Sequence, residues 1–119
     1  MSGLSSYNDV SQQSASNEQL IILLYERAIR GQIIAIDFLE DGDRESATFE
    51  LRRCREIFIA LAGALDHEVA PELAANLHQL YLWAVRELVQ AENNCSPGPV
   101  ENTLEMSQTL YWAMKEAMG

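Results

Sequence analysis

Four stretches in which apolar residues recur at steps of three and four are cut apart by three short clusters of helix-breaking residues, and any fold of this chain must accommodate that pattern. Steps of three and four return to one face of an α-helix, so each stretch reads as an amphipathic helix. The second helix, predicted over Arg44 to Leu65, places Ala47, Leu51, Cys54, Phe58, Leu61 and Leu65 on one face. The third opens at Pro71 and shows Leu73, Leu77, Leu80, Ala84, Leu88 and Ala91. The fourth opens at Pro99 and shows Val100, Leu104, Ser107, Tyr111, Met114 and Met118. Proline suits a helix's first turn, where its missing N–H leaves nothing unpaired. Between the first two helices, Gly42 tolerates a left-handed C-terminal position and Asp43 is placed to cap the helix that follows. Short connections make antiparallel neighbours. The predicted fold is therefore all-α, an antiparallel up-down four-helix bundle over residues 16–119.

The first helix is predicted from Asn17 to Glu40, because Ser16 and Gln19 have the spacing of a capping box. Residues 1–15 are Ser-rich and lack a period. They read as a loose N-terminal arm whose apolar residues are Leu4, Tyr7 and Val10.

Charge and chemistry exclude most function classes. Eight basic against 18 acidic side chains give a net charge of −10. Nucleic-acid binding needs Lys and Arg to displace phosphate counterions, and docking on an anionic membrane needs them too. Apolar runs such as Leu20–Tyr25 fall far short of the roughly 20 residues of a membrane span. No basic start with an apolar run of signal length is present, so a cytoplasmic protein is expected. Cys54 and Cys95 form no CxxC and no Cys/His cluster, which points to two reduced thiols and no metal. Neither His67 nor His78 follows a Glu by three residues, so the carboxylate-bridged metal site of some bundles is not encoded. There is no Gly-rich phosphate loop and no nucleophile elbow, and Asp66-His67-Glu68 reads as a polar turn. No catalytic residue, metal or cofactor is expected. The run Arg52, Arg53, Arg55, Glu56 reads as a solvated helix face that could also meet an acidic neighbour.

The anomaly is an excess of apolar residues. On a wheel of 100° per residue, Leu20, Ile21, Leu24, Tyr25, Ala28, Ala35, Phe38 and Leu39 fill one side of the first helix. Ile22, Ile29, Ile33 and Ile36 widen this to roughly 200°, against the usual stripe a little over 100°. Glu26, Arg30 and Asp37 form the remaining polar edge. Phe49, Ile59, Trp83 and Trp112 also stand off their helices' main stripes. Either the first helix is buried on several sides or covered by the arm, or it presents a groove to an apolar partner segment.

The order of motifs resembles the flagellar secretion chaperone (FliS) family along nearly the whole chain. Tyr7 matches an early Tyr of that family. Ser16, Leu20, Ile21, Leu24, Tyr25, Ala28 and Ile29 match its entry into the first helix. Leu65-Asp66 matches the Leu-Asp that closes its second helix. Asn76, Leu77, Leu80, Tyr81, Leu88, Ala91 and Asn93 match its third, and Trp112-Ala113 suits its last. The chain departs in having Asn17 where the family usually has Pro, Glu92 between Ala91 and Asn93, and a longer last loop containing Cys95-Ser96-Pro97-Gly98-Pro99.

The resemblance implies a cytoplasmic chaperone of type III flagellar export. Such a protein binds the disordered C-terminal region of flagellin, keeps it from polymerising, and brings it to the export gate, whose cytoplasmic domain is a further possible partner. The outer arc residues Ile22, Ile29, Ile33 and Ile36, with Tyr25, Leu82 and Trp83, are the candidate partner-binding surface, and Tyr7 is the candidate plug from the arm. The chain is expected to be a monomer or a weak homodimer. The alternatives are a self-associating structural bundle and a chaperone of this fold for another secreted client.

Overall fold

The computed structural model describes the backbone of residues 3–118 and the side chains of residues 17–118. Four helices follow one another: α1 (Gly3–Glu40), α2 (Arg44–Gly63), α3 (Pro71–Asn94) and α4 (Gly98–Met118). There is no strand among the described residues. Each of α1 and α3 packs on both α2 and α4, so α1 and α3 sit at opposite corners of the bundle. The side-chain pairs show that neighbouring helices run in opposite directions. On α1 and α4, Gln32 meets Thr103 and Ser107, while the earlier Glu26 meets the later Tyr111. On α2 and α3, Arg52 and Arg55 reach Glu92, while the later Phe58 stacks on the earlier Tyr81.

α1 starts well before the Ser16 predicted from the capping box. Its 38 residues, at about 1.5 Å each, account for the 58 Å long axis of the molecule. Nucleation is the costly step of helix formation, and the packed part of α1 supplies the nucleus. Extension through the Ser, Gln and Asn residues upstream then costs only their modest propensity deficit. The predicted ends of the other helices hold more closely. Asp43 caps α2 by accepting the Ser46 N–H at 3.2 Å, and Gly42 takes a φ of +74°. α3 ends in a left-handed residue, Cys95, at φ 49° and ψ 48°.

The core is built by Tyr25, Ala28, Ala35 and Leu39 of α1, the α2 stripe from Ala47 to Leu61, Tyr81, Ala84, Leu88 and Ala91 of α3, and Val100 of α4. Two predicted stripes are corrected. On α3, Leu73 and Leu80 are 59% and 37% exposed, while Ala74 and Tyr81 turn inward. On α4 the buried positions are Val100, Thr103 and Ser107, with Leu104, Tyr111 and Met114 on its half-buried flank. The polar pair is buried because it serves Gln32, itself fully buried on α1. The Gln32 amide donates to the Ala28 carbonyl at 2.9 Å and to Ser107 Oγ at 3.1 Å, and accepts from Thr103 Oγ1 at 2.6 Å. An amide left unpaired there would cost about 1–3 kcal/mol.

α1 and α2 are tightly apposed at Gly31. A Cβ there would lie 2.7 Å from Cys54 Sγ, 2.8 Å from Arg27 Nη1 and 3.1 Å from Glu50 Oε2. The Arg27–Glu50 ion pair at 3.2 Å closes over this contact. Burial, with Glu50 adding to it, pushes the Cys54 thiol up to about 12.

Three outcomes follow for this scaffold. Gly31→Ala should destabilise the protein by roughly 1 kcal/mol in chemical denaturation, because overpacking of about 1–3 kcal/mol outweighs the better helix propensity of Ala. In a Cys54→Ala background the same change should turn neutral or stabilising. Cys95→Gly should raise stability by about 0.5 kcal/mol, since relief of a left-handed non-glycine residue exceeds the thiol packing lost. A thiol-alkylating reagent should modify native protein at Cys95 alone and reach Cys54 only on unfolding, as peptide mapping would show.

Candidate functional site

The phase of α1 decides which of its apolar residues stay outside. Tyr25, Ala28, Gln32, Ala35 and Leu39 point into the bundle, and Arg27 and Gly31 meet α2. This leaves Ile22, Ile29, Ile33 and Ile36 within about 60° of one another on the flank that turns toward α4. Ile33 is 44% exposed, and the other three are half-buried. The row is continuous at its N-terminal end with a groove of about 450 Å³ between α1 and α4, lined by Gln19, Ile22, Leu23, Lys115 and Met118. Among the described residues no carboxylate lines it, although acidic residues outnumber basic ones by more than two to one in the chain.

Aromatic residues form the α4 side of this face. Tyr111 donates its hydroxyl to Glu26 Oε2 at 2.7 Å, which ties α4 to the polar edge of α1. That bond to a carboxylate raises the Tyr111 pKa. The Lys115 ammonium lies 5.8 Å from the centre of the same ring. Trp112 packs edge-on against Tyr111 and stays 64% exposed.

The structure therefore brings together the four isoleucines but separates the other candidates. Tyr25 is fully enclosed and offers no surface. Its hydroxyl meets that of Tyr81 at 2.5 Å across the core, and burial pushes both phenols above their ordinary range. It supports the arc from beneath. Leu82 and Trp83 lie on α3, at the corner opposite α1, so they do not extend the isoleucine row. Trp83 is half-buried against the core, and Leu82 is 41% exposed about 100° further round the helix. The Tyr7 side chain lies outside the described residues. Leu23, Lys115 and Met118 line the groove without having been singled out for it. Met118 was legible only as the end of the α4 stripe, and Leu23 only as a member of the apolar run Leu20–Tyr25.

The basic run on α2 does meet an acidic neighbour. Arg52 and Arg55 both bind Glu92 of α3. Partial burial alone would raise the Glu92 carboxyl, but the two guanidinium groups outweigh it and hold it below the usual range. Glu92, the residue by which α3 departs from the family pattern, thus has a local partner. No helix among the described residues is long and apolar enough to cross a membrane.

Comparison with known proteins agrees with this architecture. A family model described as "Flagellar protein FliS" matches residues 1–119. The flagellar secretion chaperone FliS of Salmonella typhimurium (strain LT2) is 37% identical over 120 residues, covering 97% of this chain and 89% of that protein. That of Escherichia coli (strain K12) is 29% identical over 106 residues, covering 88% and 78%. That of Campylobacter jejuni is 29% identical over 113 residues, covering 92% and 88%. With a whole-chain match and a four-helix bundle in which matched positions such as Tyr25, Ala28, Tyr81 and Leu88 form the core, the chain belongs to the flagellar protein FliS family.

Proposed function

We propose that this protein is a cytoplasmic chaperone that holds the disordered C-terminal region of flagellin along the α1/α4 face until export. Membership of a family of flagellar secretion chaperones supports a client of the export system. The observation that carries the finer reading is the partly exposed isoleucine row, continuous with a groove whose described lining is Gln19, Ile22, Leu23, Lys115 and Met118. A disordered client loses chain entropy when it is ordered, so it needs a long apolar track made of several modest contacts. Apolar burial contributes about 25 cal/mol per Å², and the ordering cost brings the net affinity into a range that export can reverse. Such a role is one of binding, and it asks for no catalytic group. In this reading Tyr7 of the N-terminal segment covers part of the track until the client arrives, and the loaded complex then meets the cytoplasmic domain of the export gate.

Calorimetric titration with a synthetic flagellin C-terminal region should show one-to-one binding at micromolar or tighter Kd with a negative heat-capacity change. Ile33→Asp should weaken that binding about 10- to 100-fold, the loss of one buried aliphatic contact of ~1.5–3 kcal/mol. Its melting should change little, because Ile33 is 44% exposed. Ile29→Asp should act in the same direction, with some loss of stability from its half-buried position. A folded monomer that ignores the peptide would overturn the reading. A dimer that persists on dilution and covers Ile33 would assign the face to a second copy.

A further inference from the structure

Where α2 gives way to α3, the chain makes a second apolar surface that the α1/α4 face does not use. Two concavities there share Ala70 and Leu73. The smaller, about 170 Å³, is completed by Leu65, Val69, Ala74 and Leu77, with Asp66 the one charged residue among its described lining. The larger, about 500 Å³, is completed by Pro71, Glu72 and Asn76. Val69 is 81% exposed and Leu73 59%. No other large apolar residue among those described is as exposed as Val69. These side chains do not stand on a loose loop. The Asp66 carboxylate accepts the Glu68 and Val69 N–H groups at 3.0 and 3.2 Å, and Pro71 fixes the entry into α3. A surface already ordered loses little entropy on binding.

The charge of this turn selects its partner. Asp66 and Glu72 line the two concavities, Glu68 stands exposed in the same turn, and the chain carries no Lys or Arg between Arg55 and Arg86. A second copy, itself at −10, would bring like charge to the turn. In size, the smaller concavity suits one side chain, since an apolar cavity of about 150 Å³ is enough for a benzene-sized group. We propose that the α2–α3 turn is a docking site for a basic amphipathic segment of a second protein. One leucine- or phenylalanine-sized side chain of that segment enters the concavity beside Leu73, and flanking Lys or Arg residues meet Glu68 and Glu72. The site lies on α2 and α3 and shares no lining residue with the α1/α4 groove of the client track.

The test uses the full chain and a short fluorescent peptide with two leucines on one helical face flanked by lysines. Binding should be saturable, and the backbone amide shifts should move at residues 65–77. Leu73→Ser should weaken it about tenfold, as loss of a central apolar anchor does. The double variant Glu68→Lys, Glu72→Lys should weaken it by a similar factor, while Glu101→Lys, Glu105→Lys on α4 should not. A peptide with serines for leucines should fail to bind at the turn. Ile33→Asp should leave binding unchanged, which separates this site from the client track whether or not flagellin proves to be the client. Equal binding by the serine peptide, equal loss in the α4 double variant, or shifts confined to other helices would show general attraction to an acidic protein and overturn the site.

Discussion

The rotational phase of α1 is the constraint on which the rest of the structure depends, and two buried polar groups hold it. Gln32 can satisfy its amide only by facing Thr103 and Ser107 of α4, and Tyr25 meets a hydroxyl partner only by facing Tyr81 across the core. Gly31 adds a steric requirement, because the Cys54 thiol occupies the space that a side chain would take. Apolar contacts tolerate rotation and sliding far better than hydrogen bonds do. A rotation of α1 by roughly a quarter turn would take Gln32 away from Thr103 and Ser107 and leave its amide short of partners. Once that phase is set, the outer isoleucines cannot turn in, whatever the hydrophobic effect favours.

An apolar arc wider than the core can use therefore stays partly in water, and the chain's charge makes this tolerable. A net charge of −10 keeps copies apart through long-range repulsion while leaving the local contact surface apolar. The placement of charge follows the same division. Several carboxylates between the helices are engaged locally: Glu26 by Tyr111, Glu50 by Arg27, and Glu92 by two arginines. An ion pair with one exposed partner, such as Arg52–Glu92, contributes little stability. Their effect here is to link α1 to α2 and α4, and α2 to α3, at defined levels, so that the grooves keep their shape.

The helices and their order were legible in the sequence because period, capping and turn chemistry agreed at each break. Asp43, Gly42 and Pro71 each act as their residue types imply. The helix phases were legible only where the inward residues are all apolar, as on α2. On α4 the inward stripe contains Thr103 and Ser107; the stripe read from the sequence held Ser107 but took Leu104 in place of Thr103, as hydropathy favours. Their burial depends on Gln32, more than 70 residues earlier in the chain, and no local pattern carries such a pairing. Tyr25 illustrates the same limit from the other side. Its spacing on the helix fits a core or a rim position, and only the partner hydroxyl of Tyr81 decides between them. The row Ile22, Ile29, Ile33 and Ile36 could be read because its excess over any single stripe was visible without knowing the neighbours. Leu82 and Trp83 could not be placed relative to that row, since the corner that α3 occupies is a property of the whole bundle.

The two exposed apolar regions differ in a way that follows from how each is built. The α1/α4 face is a row along helix sides, and among the described residues its groove is lined without carboxylates. A long chain segment can lie along such a surface in more than one register, and the surface rewards length over shape. The α2–α3 turn is small, fixed by the Asp66 hydrogen bonds and Pro71, and bordered by carboxylates. A surface of that kind rewards one side chain of suitable size and a particular sign of charge. Affinity on the first grows with the number of contacts, and selectivity on the second comes from electrostatic match. Under the proposed function, a bundle that holds an extended client and is recognised while holding it needs two separate surfaces, because a shared one would be covered by the first partner to arrive.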